Sequence, residues 1–470
     1  MWVIMETVWP ELKARLLERL TPSEDEATKL RDFITRVESQ LTSHLQMHGI
    51  TAKAEVHGSA SRGTWIAGDK DIDIFIVLDP QYGRSVIPRV LAAVKLYVGE
   101  GWVEAYAEHP YITVVLDGFT VDFVPCFRVN PSEGLISSTD RTPLHTSFLR
   151  PYLTRSEQGE VLLLKRFMKG VGVYGAEVKV GGFSGYLCEL LVVHYGSFTS
   201  VVRNVAEWRL HEVVDLFGES KVASLRERFK DPLIVVDPVD SARNVASAVS
   251  ETSFSVLAAA ARTFLSSPDI RFFYPPTGGI PDDFSGKLRG RPSSLIHVVL
   301  DDGAVGVPDI LWGELYKSLG GLSSLLKQHG FNVLRSAAWS DESSVHVLVF
   351  EVESSVLPNV VKRMGPPVRM GEDSDRFLGA HLGVDSTLSG PWIEGGRWWV
   401  LKRRSVTDAR ALLKGALIDG GVFAGVSRKL GERVKDSFRV LMDGEVLEFM
   451  DSNFRVFLAE FLDGRPDWLV

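Results

Sequence analysis

The spacing of apolar residues predicts a long helix and then a strand near the start of the chain. Thr21-Pro22-Ser23, followed by acidic residues, is a helix start signal, and apolar residues recur at helical spacing from Leu30 to Leu45. Gly49 fits the end of this helix. Residues 51–56 then favour a short strand.

Alternation with a period of two marks the strands that follow. Residues 61–68 fit a turn or two of helix, 69–78 form an apolar strand interrupted by aspartates, and an amphipathic helix is predicted over 86–97. Residues 111–116 and 119–126 are two β-rich runs joined by Asp-Gly, a strong hairpin signal. The first part of the chain is therefore predicted to be mixed α/β with a small sheet.

The pattern changes twice more along the chain. It is mainly helical over 157–264, where Leu162, Leu163, Phe167 and Met168 form one stripe, and rich in Pro and Gly over 266–286, as in a linker. Beyond that, strands are predicted at 293–300, 346–353 and 396–403 and a helix at 311–330. These changes predict an α+β multidomain protein with domains at 1–150, 151–265 and 266–470.

Composition supports several soluble domains. A chain of 470 residues exceeds the ~250–300 residues at which single cores stop growing, and 45% hydrophobic with 24% charged residues is ordinary globular material. No apolar run approaches the ~20 residues of a membrane span, and the first residues lack a secretion signal. Cys126 and Cys188 lie in apolar surroundings, which predicts reduced core thiols and a cytoplasmic location.

The net charge of −8, taken alone, argues against a nucleic-acid partner, because phosphate binding needs a cationic surface. Whole-chain charge averages over domains, however, so local patches decide this question.

Acidic residues at alternate strand positions raise the possibility of a metal site. Asp71 and Asp73 are two apart and so share a face, while Asp69 stands at the strand entrance. Neighbouring like charges cost stability unless a cation lies between them. The alternative is a solvated edge strand with scattered acids.

Asp122 strengthens the metal interpretation because it stands between Val121 and Phe123 in the second strand of the hairpin. A carboxylate there is costly unless it is paired or bound to a metal. Three carboxylates on adjacent strands suit Mg²⁺, and two such ions ~3.5–4 Å apart can activate an attacking oxygen and stabilise a leaving one. A buried acid paired with an arginine is the alternative.

A phosphate-binding element precedes these acids. Gly58 allows close backbone approach, Ser59 opens a helix whose N–H groups favour phosphate, and Arg62 can clamp phosphate oxygens. Gly-Ser alone is most often a turn, but an Asp-Ile-Asp-Ile strand at this distance makes the combination specific.

These motifs resemble a known superfamily. "GSASRGTWIAGDKDIDIF" with "VDFVPC" resembles the nucleotidyltransferases related to DNA polymerase beta. The chain is more specifically similar to archaeal-type CCA-adding enzymes, which are tRNA nucleotidyltransferases, through stretches spread from Gly49 to Arg404. These stretches are, in order, "YAEHPY", "VDFVPCF", "DRTPLH", "GVYGAEVKVGGFSGYLCELLVVHYGSF", "VVDPVDSARNVA", "KRMGPP" and "GRWWVLKRR". One departure is Asp71, where Glu is common in relatives.

The resemblance implies a role for each matching residue. Asp71 and Asp73 would bind two Mg²⁺ ions, and Asp122 would complete the catalytic site as a further metal ligand and accept the proton of the primer 3′-OH. The triphosphate of CTP or ATP would contact Ser59, Arg62, His145, Lys165 and Tyr174. Arg243 would read the base, and His109 and Thr142 lie in matching stretches.

Each of these residues also has an ordinary structural interpretation. Lys165 can be a solvated charge beside a core stripe, Tyr174 a packed aromatic and His145 the cap of a loop. Arg243 can be an ion-pair partner of Asp237 or Asp240.

The implied reaction is the template-independent addition of C, C and A to the tRNA acceptor end, with release of pyrophosphate. The implied fold is a polymerase-beta-like catalytic domain, a helical central domain that recognises the base, and an α+β tRNA-binding region. The family often forms homodimers. Poly(A) polymerases, small-molecule nucleotidyltransferases and a non-catalytic tRNA-binding protein are the alternatives that share parts of this pattern.

Basic segments beyond the first domain are the candidate tRNA-binding surface. The candidates are 203–212, 224–230, 285–294, 360–370 and 396–410, and within the last two lie Arg363, Arg397, Lys402, Arg403 and Arg404. Trp398 and Trp399 place aromatic planes beside these basic residues, which suits RNA binding. The alternative is that the two tryptophans are core residues. RNA affinity is expected to fall steeply with salt.

Overall fold

A computed structural model of the chain describes residues 2–106, 109–130, 134–216, 218, 222–276, 278–302, 307–449 and 451–469. The chain divides into two compact units. Unit 1 comprises 1–277 with 466–470, and unit 2 comprises 278–465. None of the helices within the described ranges is long and apolar enough to cross a bilayer.

Two helices begin unit 1. α1 (Trp2–Leu20) was not predicted, although its buried residues Trp9, Leu12, Leu16 and Leu20 follow helical spacing. α2 (Glu24–Met47) confirms the prediction: Ser23 caps it through a capping box with Glu26, and its apolar stripe is buried.

A five-stranded sheet follows, in the order β1-β2-β5-β4-β3. Its elements are β1 (Ala52–His57), α3 (Gly58–Arg62), β2 (Asp71–Leu78), α4 (Ile87–Val98), β3 (Val103–Tyr106), β4 (Pro110–Leu116) and β5 (Phe119–Phe127). β2 and β5 run parallel and the other neighbours antiparallel, which confirms a small mixed sheet. The helix predicted over 61–68 is misplaced: α3 ends at Arg62 because Gly63 adopts a left-handed conformation.

The hairpin prediction is confirmed. Asp117 and Gly118 both have positive φ (49° and 83°), as a two-residue type I′ turn requires, and β4 pairs with β5 from Leu116↔Phe119 onward.

The rest of unit 1 is mainly helical, as predicted. Its elements are α5 (Arg141–Leu149), α6 (Arg155–Gly170), α7 (Gly185–Tyr195), α8 (Phe198–Glu207), β6 (Glu212–Val214), α9 (Val222–Arg228), β7 (Leu233–Asp237), β8 (Asp240–Asn244) and α10 (Glu251–Ser266). The predicted stripe of α6 is buried. β6, β7 and β8 form a small sheet that the sequence pattern did not reveal.

The predicted linker at 266–286 is only partly irregular. Phe272 and Phe273 are fully buried in the aromatic core of unit 1, where they pack around Phe167 and Phe264. Their burial excludes a free linker over this part, although the division between the two units falls within the segment, at 277–278.

Unit 2 is α+β, as predicted. Its elements are α11 (Phe284–Arg289), β9 (Ser294–Asp301), α12 (Pro308–Gln328), β10 (Val333–Ser340), β11 (Val345–Val352), β12 (Val360–Pro367), α13 (Gly371–His381), β13 (Thr387–Glu394), β14 (Arg397–Arg403), α14 (Ala409–Leu417), α15 (Arg428–Val434), β15 (Phe438–Met442) and α16 (Ser452–Asp463). One antiparallel sheet has the order β10-β11-β9-β15 and another β12-β14-β13.

Both cysteines are buried free thiols, as expected. Cys126 lies on β5, and Cys188 on α7 contacts the sulfur of Met168.

Candidate active site

Four polar side chains form a row across the sheet of unit 1. His57 on β1 is in register with Asp73 on β2, Asp73 with Asp122 on β5, and Asp122 with Thr113 on β4. Residues in register on neighbouring strands share a face. We call these four residues the acid row. The opposite face carries Ile72, Ile74 and Ile76, which are buried against α2 and α4.

Position 58 requires a glycine because its backbone lies against the Asp73 carboxylate of the acid row. It has φ of +67°, and a Cβ placed there would lie 2.0 Å from Oδ2 of Asp73. Any other residue would be strained and would push the carboxylate aside. The glycine therefore serves close approach, as predicted, and the group that approaches it is Asp73.

Burial and the repulsion between neighbouring carboxylates raise the pKa values of the two aspartates in the acid row. Burial, followed by the neighbouring charge of Asp122, raises the pKa of Asp73 from 3.8 to about 6. Burial raises the pKa of Asp122 as well, and Asp71 contributes, while a 2.6 Å hydrogen bond donated by the Thr113 hydroxyl acts in the opposite direction. Burial also lowers the pKa of His57 to about 4, so this imidazole is neutral near pH 7.

Asp71 stands at the exposed start of β2, two residues before Asp73 on the same face. Asp69 is separate from this pair, since it forms an ion pair with Lys169 at 3.3 Å. Within the part of the chain that the structure describes, no three His, Cys, Asp or Glu side chains are arranged to hold a metal ion. The acids nevertheless suit Mg²⁺, which usually takes one or two carboxylates and completes its shell with water and substrate phosphates.

Arg62 and Lys165 converge on a buried carboxylate. Arg62 Nε lies 2.9 Å from Glu189 Oε2, and Lys165 Nζ lies 3.9 Å from Glu189 Oε1. Lys165 also donates to the Thr64 carbonyl at 2.8 Å and is buried, which corrects its interpretation as a solvated charge. Burial lowers the pKa of Lys165, while Glu189 acts to raise it.

His145 and Arg243 converge on a second buried carboxylate. His145 Nε2 lies 2.9 Å from Oδ2 of Asp237, and Arg243 Nη1 donates to the same oxygen at 2.8 Å. The structure thus contains the ion pair with Asp237 that was an alternative for Arg243, whereas Asp240 pairs with Arg141. The His145 ring is buried and stacks on Tyr186 at 3.9 Å, so it is not a loop cap.

The remaining nucleotide candidates lie around these groups. Ser59 is half-buried on α3. Tyr174 is half-buried, its hydroxyl lies 3.0 Å from the Cβ position of Gly185, and burial raises its pKa. That Cβ position is also 3.4 Å from Lys165 Nζ, so Tyr174 and Lys165 are neighbours.

His109 and Thr142 have structural contacts. His109 is buried and its Nε2 lies 2.9 Å from the Thr139 hydroxyl. Thr142 is on α5, where its carbonyl accepts a hydrogen bond from Thr146. The Thr146 hydroxyl in turn lies 3.1 Å from Nδ1 of His57 in the acid row, whereas no described contact joins His109 to the row.

Glu189 was not among the predicted site residues, and Asp237 was predicted only as a possible ion-pair partner of Arg243. One signal existed for Glu189: it is the single acid in the apolar run of α7, where a carboxylate needs a cation.

Four of the five candidate tRNA-binding residues lie around one cleft beside the β12-β14-β13 sheet. Arg363, Lys402, Arg403 and Arg404 line a cleft of about 760 Å³ together with His329. Burial, and the charges of Lys402 and Arg363, lower the pKa of His381. Arg404 donates to the His329 carbonyl at 3.3 Å.

Arg397 lies at the opposite end of β14, beside two tryptophans. Trp398 and Trp399 are half-buried and belong to none of the hydrophobic clusters, so they are not core residues. Lys362 Nζ lies 4.3 Å from the centre of the Trp399 ring.

Comparison with known proteins shows similarity along nearly the whole chain. Sequence models match a nucleotidyltransferase domain over 37–145, the second domain of tRNA nucleotidyltransferases over 159–274, and the C-terminal domain of CCA-adding enzymes over 291–443. The CCA-adding enzyme of Methanosarcina acetivorans is 35% identical over 97% of this chain and 99% of that protein. That of Pyrobaculum islandicum is 41% identical over 84% and 90%. Among solved structures, the Cid1 poly(U) polymerase matches 57% of this chain and 97% of that chain, with 15% identity and a TM-score of 0.46.

Proposed function

This chain belongs to the family of CCA-adding enzymes, and we propose that it adds C, C and A to the 3′ end of tRNA from CTP and ATP and releases pyrophosphate. It is a nucleotidyltransferase, and tRNA and nucleotides are its substrates. The observation that carries the proposal is the in-register pair Asp73 and Asp122 beside the Gly58 turn, within a chain similar to these enzymes over nearly its whole length.

The catalytic roles proposed from the sequence agree with the contacts of the acid row. Asp122 would accept the proton of the primer 3′-hydroxyl, since its carboxylate stands in register with Asp73 on the neighbouring strand. Asp71, Asp73 and Asp122 would hold divalent cations, which the family requires; we propose two Mg²⁺ ions. Bound there, the ions would stabilise charge on the transferring phosphoryl group and the leaving pyrophosphate.

The nucleotide would be held by residues from three parts of unit 1. Ser59, Arg62, Lys165, Tyr174 and His145 would contact the triphosphate, and Arg243 would donate to the edge of cytosine or adenine. Catalysis would then consist chiefly of positioning and electrostatic stabilisation while the 3′-oxygen attacks the α-phosphate in line.

We assign three regions to the reaction: 1–150 to catalysis, 151–265 to base recognition, and 266–470 to tRNA binding. Arg363, Arg397, Lys402, Arg403 and Arg404 would contact tRNA phosphates. A homodimer and a cytoplasmic location are further proposals, and sedimentation at several protein concentrations tests the first.

The experiment is incubation with tRNA that ends before CCA, Mg²⁺ and labelled CTP and ATP, followed by sequencing of the 3′ ends. Addition of C, C and A in order is expected. Generic RNA and an aminoglycoside are the parallel substrates: tailing of generic RNA would indicate a poly(A) polymerase, and labelling of the aminoglycoside a small-molecule transferase. Binding of tRNA without incorporation of any nucleotide would support the non-catalytic alternative.

A further inference from the structure

Two buried carboxylates in unit 1 have no place among the proposed nucleotide contacts. Glu189 and Asp237 have side chains with 0% exposure. A buried carboxylate is costly unless it is paired and hydrogen-bonded. Each of the two forms ion pairs with two residues that are themselves candidates for binding the nucleotide.

Glu189 connects the two cations proposed for the triphosphate. Arg62 comes from α3 and Lys165 from α6, and Glu189 on α7 forms ion pairs with both. The Thr64 hydroxyl also donates to Glu189. Without a negative charge at this point, two buried cations would face each other and neither would keep its place.

Asp237 connects the residues at the other end of the proposed nucleotide site. His145 and Arg243 both contact Oδ2 of Asp237. The Val239 amide donates to Oδ1 of Asp237 at 3.1 Å, and the Tyr186 hydroxyl lies 3.5 Å from the same Oδ1 atom. The guanidinium of Arg243 contacts Asp237 through Nη1, and its side chain is 35% exposed. Asp237 thus holds one edge of a planar donor group whose other edge can read a base.

We propose that Glu189 and Asp237 are positioning residues with separate tasks: Glu189 orients the cations that bind the triphosphate, and Asp237 orients the arginine that selects the base. This inference rests on the proposed function. It deepens that function because it divides affinity and base selection between two residues that touch neither the metal-binding acids nor the reacting atoms.

The test is the incorporation kinetics of Glu189→Gln and Asp237→Asn on tRNA that ends before CCA. Three quantities are measured: KM for CTP, the inhibition constant of CMP, and the ratio of kcat/KM for CTP over UTP. Glu160→Gln is the matched control, because Glu160 is also buried and paired with a lysine, Lys13, but contacts no nucleotide candidate.

Glu189→Gln is expected to raise KM for CTP by about 10–100-fold, the range seen when an orienting partner of a ligand is lost. The CMP inhibition constant and the CTP/UTP ratio should stay near the wild-type values, since the base contacts remain. Asp237→Asn is expected to lower the CTP/UTP ratio of kcat/KM by about tenfold. The ratio of KM for CTP to the inhibition constant of CMP should change much less. The control variant should change none of the three quantities.

Milder variants keep the test valid if either carboxamide fails to fold. Thr64→Val removes one donor to Glu189, and Tyr186→Phe removes the hydroxyl near Asp237; each should shift the same quantity as its partner variant, by less. Variants that change all three quantities together, or none of them, overturn the inference. A wild-type protein that does not incorporate CTP at all would instead overturn the proposed function.

Discussion

The charged groups of the two units are held in contrasting ways. In unit 1, Lys165, Glu189 and Asp237 are buried, and each is paired with residues from other strands or helices. In unit 2, the basic side chains beside the β12-β14-β13 sheet border an open cleft, and Arg363 and Arg403 are exposed. Burial makes charges strong and precisely placed, whereas exposure leaves them screened and adjustable.

This difference matches two tasks. Transfer of a phosphoryl group needs charges fixed before the reaction, because reorganisation at the moment of transfer would raise the barrier. Binding of an RNA backbone needs many positive charges on a surface but little precision in each of them. Changes in unit 1 should therefore affect turnover, and changes in unit 2 should affect tRNA affinity and its salt dependence.

The largest effect is expected for Asp122→Ala. Loss of the acid in register with Asp73 should lower nucleotide incorporation by about 1,000-fold or more, while tRNA binding measured by filter retention should stay unchanged. Asp117→Asn, an exposed acid in the same hairpin, is the control and should retain activity. Substantial turnover in Asp122→Ala would remove this residue from the site.

Gly58→Ala tests the same region through its backbone. The added Cβ would displace the Asp73 carboxylate and strain a position with φ of +67°. Incorporation should fall by about 100-fold, as small displacements of catalytic groups do, and the thermal midpoint should fall as well. Gly68→Ala is a useful comparison, because Gly68 also has positive φ but no atom within 4 Å of its Cβ position. Equal losses of activity in the two variants would contradict the role given to close approach.

The double variant Lys402→Ala/Arg403→Ala tests unit 2. We expect about tenfold weaker tRNA binding. The slope of log affinity against log salt concentration should become less steep by about one for each phosphate that the variant no longer neutralises. The value of kcat at saturating tRNA should be unchanged. Arg428→Ala, an exposed arginine on α15, controls for the removal of charge alone. A fall in kcat at saturating tRNA would show that the division between the units is wrong.

The smallest effect concerns stability. Because burial and Asp122 raise the pKa of Asp73 from 3.8 to about 6, the folded protein retains this proton where the unfolded chain loses it. The stability that protonation contributes is present below pH 4 and is lost as pH rises through 6. Without divalent cations, Asp73→Asn should therefore raise the thermal midpoint at pH 7.5, by about 2 °C. At pH 4 the difference should disappear, and a destabilised variant at pH 7.5 would contradict the assignment.

The sequence predicted those parts of the site that depend on local patterns, such as strand alternation, a turn motif or helical spacing. Alternation placed Asp71 and Asp73 on one face of β2, and the Asp-Gly turn brought Asp122 back along β5 beside them. Helical spacing likewise predicted α2 and the buried stripe of α6.

Contacts between distant segments were beyond the sequence patterns. Glu189 meets Arg62 across 127 residues and Asp237 meets His145 across 92, and no local periodicity encodes which helix packs on which. Burial of Phe272 and Phe273 within a Pro- and Gly-rich stretch was missed for the same reason, since their partners on α6 and α10 lie elsewhere in the chain. The central claim, that Asp71 and Asp73 hold divalent ions against a nucleotide while Asp122 stands beside them, also depends on such contacts.

The most direct test of that claim is a crystal structure with Mn²⁺ and a non-hydrolysable CTP analogue, in which the anomalous signal locates the metal. The account predicts Mn²⁺ bound by the carboxylates of Asp71 and Asp73, with the triphosphate near Ser59 and Arg62. Anomalous density away from β2, or a nucleotide whose triphosphate lies away from Ser59 and Arg62, would contradict it.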